Sequence, residues 1–71
     1  MDYRHKDYII RPQSEQLRSG RWSAKALVHL HRGGRLTVTP IYSEEGRDFA
    51  TESEANAYAL QLARNWIDAH G

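Results

Sequence analysis

The stretch that decides the fold is residues 51–70, TESEANAYALQLARNWIDAH. It opens with a capping box, in which the Thr51 hydroxyl accepts the Glu54 amide and the Glu54 side chain reaches back to the cap. Apolar residues then recur every three or four positions, which is typical of a helix with one buried stripe. We therefore predict a helix over about 52–70 that packs closely on a sheet through small residues. The predicted stripe comprises Ala55, Tyr58, Ala59, Leu62, Ala63, Trp66 and Ala69.

The length and composition limit what this helix can pack against. The chain has 71 residues, which allows one domain with a small core. It has no cysteine, so disulfides and thiolate zinc sites are not expected, and this composition fits a reducing cytoplasm. No apolar run approaches membrane-spanning length, and the N-terminus does not resemble a signal peptide. We expect a single cytoplasmic domain over 1–71 with no membrane partner.

Three stretches upstream of the helix have the pattern of β-strands. Residues 7–12 are β-rich and end at a proline, which favours an edge position, and residues 1–6 are predicted to be a disordered tail. Residues 21–31 alternate, with their apolar even positions on the core face. Residues 35–41 return after two glycines. The predicted fold is α+β, a three-stranded antiparallel meander packed on one C-terminal helix in the order β-β-β-α.

The register of the second hairpin decides which side chains are buried. A two-residue loop of Gly33 and Gly34 would turn Leu36 and Val38 towards solvent. A three-residue loop that also includes Arg32 pairs both side chains with apolar residues of the preceding strand on the core face. We therefore predict the three-residue loop, with a bulge and with Gly34 in the left-handed conformation.

Charge is distributed unevenly along the chain. Residues 1–35 carry a net charge of +5 and residues 36–71 a net charge of −4. This asymmetry predicts either a basic and an acidic face on one body or two halves that attract each other.

The uncovered face of the predicted sheet is basic and is the candidate functional surface. Its basic and imidazole side chains could contact nucleic acid, DNA above all, mainly through phosphates. The alternatives are an ordinary solvated sheet face, or a protein-interaction surface or homodimer that uses the apolar centre formed by Ile9 and Leu27, or the edge strands. The candidate nucleic-acid contacts are Arg11, Lys25, His29, His31 and Arg35.

Motifs for metal binding and catalysis give little support to an enzyme. His29 and His31 lie on one side of a strand, but two histidines without a cysteine or a positioned carboxylate are a weak metal signal. The two glycines at 33 and 34 form a hairpin turn and do not match a phosphate-binding loop, and no serine lies in a nucleophile-elbow context. We expect a binding domain with no catalytic residues, no metal and no cofactor.

Four motifs together resemble a family of small uncharacterised bacterial proteins. The resemblance covers most of the chain and implies the β-β-β-α fold, but it brings no established activity. The predicted fold is also similar to the arm-type DNA-binding domains of phage and transposon integrases, a likeness that does not fix function. The four motifs are Tyr8-x-Ile10-x-Pro12, Gly20-x-Trp22-x-Ala24-x-Ala26, Phe49-x-Thr51-x-x-Glu54-Ala55 and Ala63-x-x-Trp66-Ile67-Asp68.

Overall fold

One helix covers one face of an antiparallel sheet in the computed structural model, which describes residues 2–70. Within these residues the main sheet has four strands in the order β1-β2-β5-β6, and β3 pairs with β4 in a separate short ladder. The elements in chain order are β1 (Tyr3–His5), β2 (Tyr8–Pro12), β3 (Glu15–Gln16), β4 (Trp22–Ser23), β5 (Lys25–Arg32), β6 (Arg35–Tyr42) and α1 (Glu52–His70).

The α+β class and the C-terminal helix are confirmed, but the sheet has a strand that we did not predict. Residues 2–6 do not form a disordered tail, because β1 pairs antiparallel with β2; Met1 lies outside the described residues. Two contacts hold β1 in place. Tyr3 packs against the core, and His5 Nε2 lies 2.8 Å from Asp68 Oδ1 near the end of α1. A two-residue turn with Lys6 at φ 56° makes the connection to β2.

The two prolines occupy different kinds of position. Pro40 lies in β6, at an edge of the sheet, as its missing N–H predicts. Pro12 does not mark an edge strand, because β2 lies between β1 and β5. Pro12 is tolerated because the pairing of β2 with β1 ends at Ile10, so no residue of β1 needs a hydrogen bond from position 12.

The predicted strand over 21–31 is interrupted at Ala24, whose carbonyl accepts a hydrogen bond of 3.1 Å from the Ser43 amide. Before the break, Trp22 leaves the main sheet and exchanges two backbone hydrogen bonds of 2.8 Å with Phe49. The segment between sheet and helix is thereby fixed against the sheet, and the Phe49 ring lies 5.1 Å from that of Tyr58 on α1.

The helix begins and ends where its sequence predicts. The Glu54 amide donates to Thr51 Oγ1 at 3.1 Å, as in a capping box. The Glu54 carboxylate, however, accepts from the Thr51 hydroxyl and not from the backbone amide. The predicted stripe is wrong at two positions: Ile67 is buried where Ala69 was predicted and Ala69 is exposed, and Leu60 packs against the core where Leu62 was predicted.

The core between sheet and helix is small. Among residues 2–70, five of the eight buried hydrophobic residues are alanines, and the large buried side chains are those of Ile10, Val28 and Ile67. Alanines at four-residue intervals on α1 let the helix approach the sheet closely. The rim of this core is made by partly buried larger side chains, namely Tyr3, Tyr8, Trp22, Ile41, Phe49, Tyr58, Leu60 and Trp66.

The predicted three-residue loop between β5 and β6 is wrong. Arg32 pairs with Arg35, so the loop has two residues, Gly33 and Gly34, with φ of 60° and 76°. Two consecutive positive φ angles define a type I′ turn, whose twist matches that of the flanking strands and which two glycines adopt at little cost. The preference of two glycines for this turn outweighs the burial of Leu36 that the three-residue loop would have provided.

Candidate interaction surface

The two-residue turn decides what the uncovered side of the sheet presents. Because side chains alternate, the shift of one residue in register moves every side chain of β6 to the opposite face. Leu36 and Val38 therefore lie beside His31 and His29 on the side away from α1. We call this side the outer face. Across β1, β2, β5 and β6 it carries Arg4, Ile9, Arg11, Lys25, Leu27, His29, His31, Leu36, Val38, Pro40 and Tyr42.

A continuous apolar strip runs along the β5–β6 half of the outer face. Three of its side chains are strongly exposed: Leu36 by 61%, Tyr42 by 59% and Val38 by 44%. Leu27 and Ile9, the predicted apolar centre, are half-buried and extend this strip onto β5 and β2. Leu27 lies beside Pro40 and is the diagonal neighbour of Ile9, which His29 separates from β6, so the two predicted residues do come together there. The apolar strip is defined as Ile9, Leu27, Leu36, Val38, Pro40 and Tyr42.

Four members of the strip were not predicted, namely Leu36, Val38, Pro40 and Tyr42. The longer loop predicted for the hairpin turns the even-numbered side chains of β6 towards the core, whereas they lie on the outer face. The signal that identifies them is the Gly33-Gly34 pair itself, since consecutive glycines are favoured in a type I′ turn.

Arg11 and Lys25 lie on the outer face, but each already has an acidic partner. Arg11 forms two hydrogen bonds, of 3.0 and 3.1 Å, with the Asp2 carboxylate. Lys25 Nζ lies 3.0 Å from Glu15 Oε1 and 5.7 Å from the centre of the Tyr42 ring. The hydrogen bond from Arg11 is the main reason why the pKa of Asp2 lies below its ordinary value, and the hydrogen bond to Glu15 raises the pKa of Lys25. Both pairs are charged at neutral pH, and their charges largely cancel.

The two histidines differ in exposure although they share the outer face. His29 is half-buried at the centre, between Ile9 and Val38, and its Nε2 atom is buried without a hydrogen-bond partner among residues 2–70. His31 is exposed beside Leu36. Residues 2–70 contain no group of three or more side chains arranged to hold a metal ion.

Arg35 does not join the other candidate nucleic-acid contacts. It pairs with Arg32 at the end of the hairpin, and Arg32 lies on the same side of β5 as the buried Val28. The structure thus brings together Arg11, Lys25, His29 and His31 on one face and places Arg35 on the other. Arg4, which was not predicted, lies on the outer face in the same row as Ile9.

The free edge of β6 is a poor site for adding another strand. Pro40 has no N–H, so its pair with Leu27 cannot exchange both ladder hydrogen bonds. In a pair without ladder hydrogen bonds, the backbone N–H and C=O groups point away from the neighbouring strand. The missing N–H of Pro40 therefore removes one hydrogen-bond donor from the free edge of β6. At the other edge, β1 has only three residues. The face of the sheet therefore offers more to a partner than its edges do.

A groove of about 310 Å³ lies between the β1–β2 side of the sheet and the first half of α1. It presents no acid–base pair, because its lining side chains are all uncharged: Tyr3, Pro12, Ser53, Asn56, Ala57 and Leu60. Among residues 2–70 no helix combines the length and the apolar character needed to cross a membrane.

These features define a small α+β domain with a helix on one face of its sheet and an uncovered, partly apolar outer face. The family model described as domain of unknown function DUF6566 matches residues 1–71. The chain belongs to this family. No curated protein and no solved structure shows significant similarity to it.

Proposed function

We propose that the domain is a protein-interaction module that binds its partner through the outer face. The observation that carries the proposal is the apolar strip, in which Leu36, Val38 and Tyr42 expose 44–61% of their area side by side. Large exposed apolar patches on small domains mark binding surfaces, because leaving them in water is unfavourable. Burying them against a partner recovers that free energy.

The charges next to the strip support a protein partner more than a phosphate backbone. Arg11 and Lys25 each hold a carboxylate within about 3 Å, so a phosphate would have to displace Asp2 or Glu15. A partly apolar interface with paired charges around it has the anatomy of a protein–protein contact. The lack of cysteine fits a reducing cytoplasm as the place where this contact forms.

The test is site-specific photo-crosslinking in the native host. A photoreactive phenylalanine analogue replaces Val38 in one variant and Thr37 in the other. Thr37 is a matched control, because it is exposed in the same strand but lies on the opposite face. We expect a discrete protein adduct from position 38 and none from position 37. Equal labelling from both positions, or no adduct from either, would contradict the proposal.

DNA binding is the second candidate, and the observation that favours it is a positive charge on the same face that is not cancelled by an acidic partner. Arg4 lies beside Ile9, one row from the Arg11–Asp2 pair, and forms no ion pair within residues 2–70. The likeness to integrase arm-type domains is a prediction from the sequence about architecture alone, and β1 adds a fourth strand to the three-stranded arrangement of those domains.

A ¹⁵N-HSQC titration with a short mixed-sequence DNA duplex at low salt tests this second candidate. DNA binding predicts shifts at Arg4, Arg11 and His31 and an affinity that falls steeply with salt. Arg4→Ala should reduce the salt slope, whereas Arg64→Ala, on the helix, should leave it unchanged. An absence of shifts at high DNA concentration would rule this candidate out.

A further inference from the structure

We infer that the partner of the outer face is a second copy of this chain, packed sheet against sheet. This inference rests on the proposed function and adds the identity and the geometry of the partner. The dimer would have four layers, helix–sheet–sheet–helix, with the strands of the two sheets crossing at about 30°.

The pattern of side chains on β6 is self-complementary. The favoured arrangement has a two-fold axis that lies in the plane between the two sheets and runs perpendicular to the strands. This axis passes between the row of Val38 and the row of Pro40, and it lays β6 over β6 of the second copy. Val38 then faces Pro40, and Leu36 faces Tyr42, each apolar residue meeting an apolar one. An axis along the strands would instead lay the apolar β6 over the strand that carries Arg4. The first axis is therefore the favoured one.

Charges on the outer face are also compatible with this two-fold axis. Asp2 precedes β1, one row from Arg4, and the axis brings Arg4 of one copy towards Asp2 of the other. The same axis lays Lys25 over His31 and Arg11 over Ile9 of the second copy, which are less favourable contacts. Lys25 and Arg11 are paired with Glu15 and Asp2 in each copy, which limits their cost. A surface with unpaired charges of one sign would repel its own copy, and this surface is largely neutral.

The area of the outer face allows a weak dimer. Strands about 4.8 Å apart with a rise of about 3.3 Å per residue give β1, β2, β5 and β6, of three, five, eight and eight residues, a face of roughly 380 Å². Two such faces bury roughly 760 Å², the size of a weak or transient contact, so we expect a Kd of about 100 μM or above.

The small core gives a second, independent reason for self-association. A domain of this length has little stability to spare, and here five of the eight buried residues are alanines. Small domains commonly obtain additional stability from disulfides, metals or oligomerisation. The chain has no cysteine, and residues 2–70 show no cluster that could hold a metal, so oligomerisation is the means consistent with its sequence and structure.

Sedimentation equilibrium from about 10 μM to about 1 mM tests the inference over the expected range of Kd. We expect the weight-average mass to rise from 8.2 kDa towards twice that value. Val38→Asp should keep the mass at that of the monomer, because it places a charge in the apolar contact between the two β6 strands, next to the two-fold axis, whereas Thr37→Asp should dimerise like the wild type. Circular dichroism establishes that both variants are folded.

The outcomes separate this inference from the proposed function. A wild-type protein that stays at 8.2 kDa up to 1 mM overturns the dimer. If position 38 then crosslinks to a different protein, the outer face is still an interaction surface and only the identity of the partner is wrong. Dimerisation that survives in Val38→Asp as well as in Thr37→Asp would also overturn the inference, because the dimer would then form through another surface.

Discussion

Both faces of the sheet carry apolar side chains at alternate positions, yet one is closed and the other open. On the inner face Ile10 and Val28 are 0% and 1% exposed under α1. On the outer face Leu36 is 61% exposed and nothing within residues 2–70 covers it. The comparison shows that alternation identifies strands but does not say which apolar side chains belong to the core of the monomer. That depends on the register, and therefore on two glycines in a turn.

The largest expected effect is in the core that α1 forms with the inner face. Ile67→Ala should reduce the free energy of unfolding by about 2–5 kcal/mol, because Ile67 is one of only three large side chains that are fully buried. Leu36→Ala removes a similar apolar side chain from the outer face and should change the stability of the monomer by no more than about 0.5 kcal/mol. Urea denaturation at low protein concentration measures both. Similar losses would mean that the outer face is packed within the monomer.

The inner face could largely be predicted from the sequence, because its signals are local and agree with one another. The capping box at Thr51 and the regular spacing of alanines predicted α1 with its observed bounds. The exchange of Ile67 for Ala69 at the end of the stripe is a small error, since a pattern that allows steps of three or four residues fixes the buried direction only loosely.

The outer face could not be predicted as well, because it depends on the pairing of distant residues and on one decision about a turn. The strand β1 has three residues, two of them charged or imidazole-bearing, and such a segment has no periodicity to detect. The hairpin offered two signals that disagreed, the burial of Leu36 and Val38 against the turn preference of two glycines. The error in weighing them hid the apolar strip and placed Arg35 on the wrong face.

A substitution at Gly34 tests that turn directly. Gly34→Ala should destabilise the protein by about 1 kcal/mol net, because alanine at a φ of 76° is strained and the loss exceeds the entropy gained in the unfolded chain. Steric overlap is not the cause, since an added Cβ would have no atom within 4 Å. Thermal denaturation measures the loss, with Arg35→Ala as the control in the same hairpin. An unchanged melting temperature would contradict a left-handed Gly34 and reopen the question of the register.

The smallest expected effect concerns Asp68, which links the end of α1 to β1 and so helps to keep the inner face closed. Its carboxylate lies 2.8 Å from His5 Nε2 and 3.0 Å from Lys6 Nζ. Hydrogen bonds from His5 and then Lys6 lower the pKa of Asp68 below its ordinary value of 3.8. A lowered pKa contributes stability above the ordinary value, and that contribution is lost as the pH falls through the value in the folded protein.

We therefore expect Asp68→Asn to lower the melting temperature slightly at neutral pH and to leave it less sensitive to acid than that of the wild type. The two melting curves should converge as the pH falls below the lowered pKa of Asp68, because the wild-type carboxyl is then also neutral. Asp7→Asn is the matched control, because Asp7 lies in the adjacent turn and its only ion pair within residues 2–70 is a longer contact of 3.5 Å with Arg32. A gap between wild type and Asp68→Asn that does not narrow at all as the pH is lowered would show that the asparagine disturbs packing and not charge. The link between α1 and β1 would then be steric, and the inner face would be closed by its alanines and its rim of larger side chains alone.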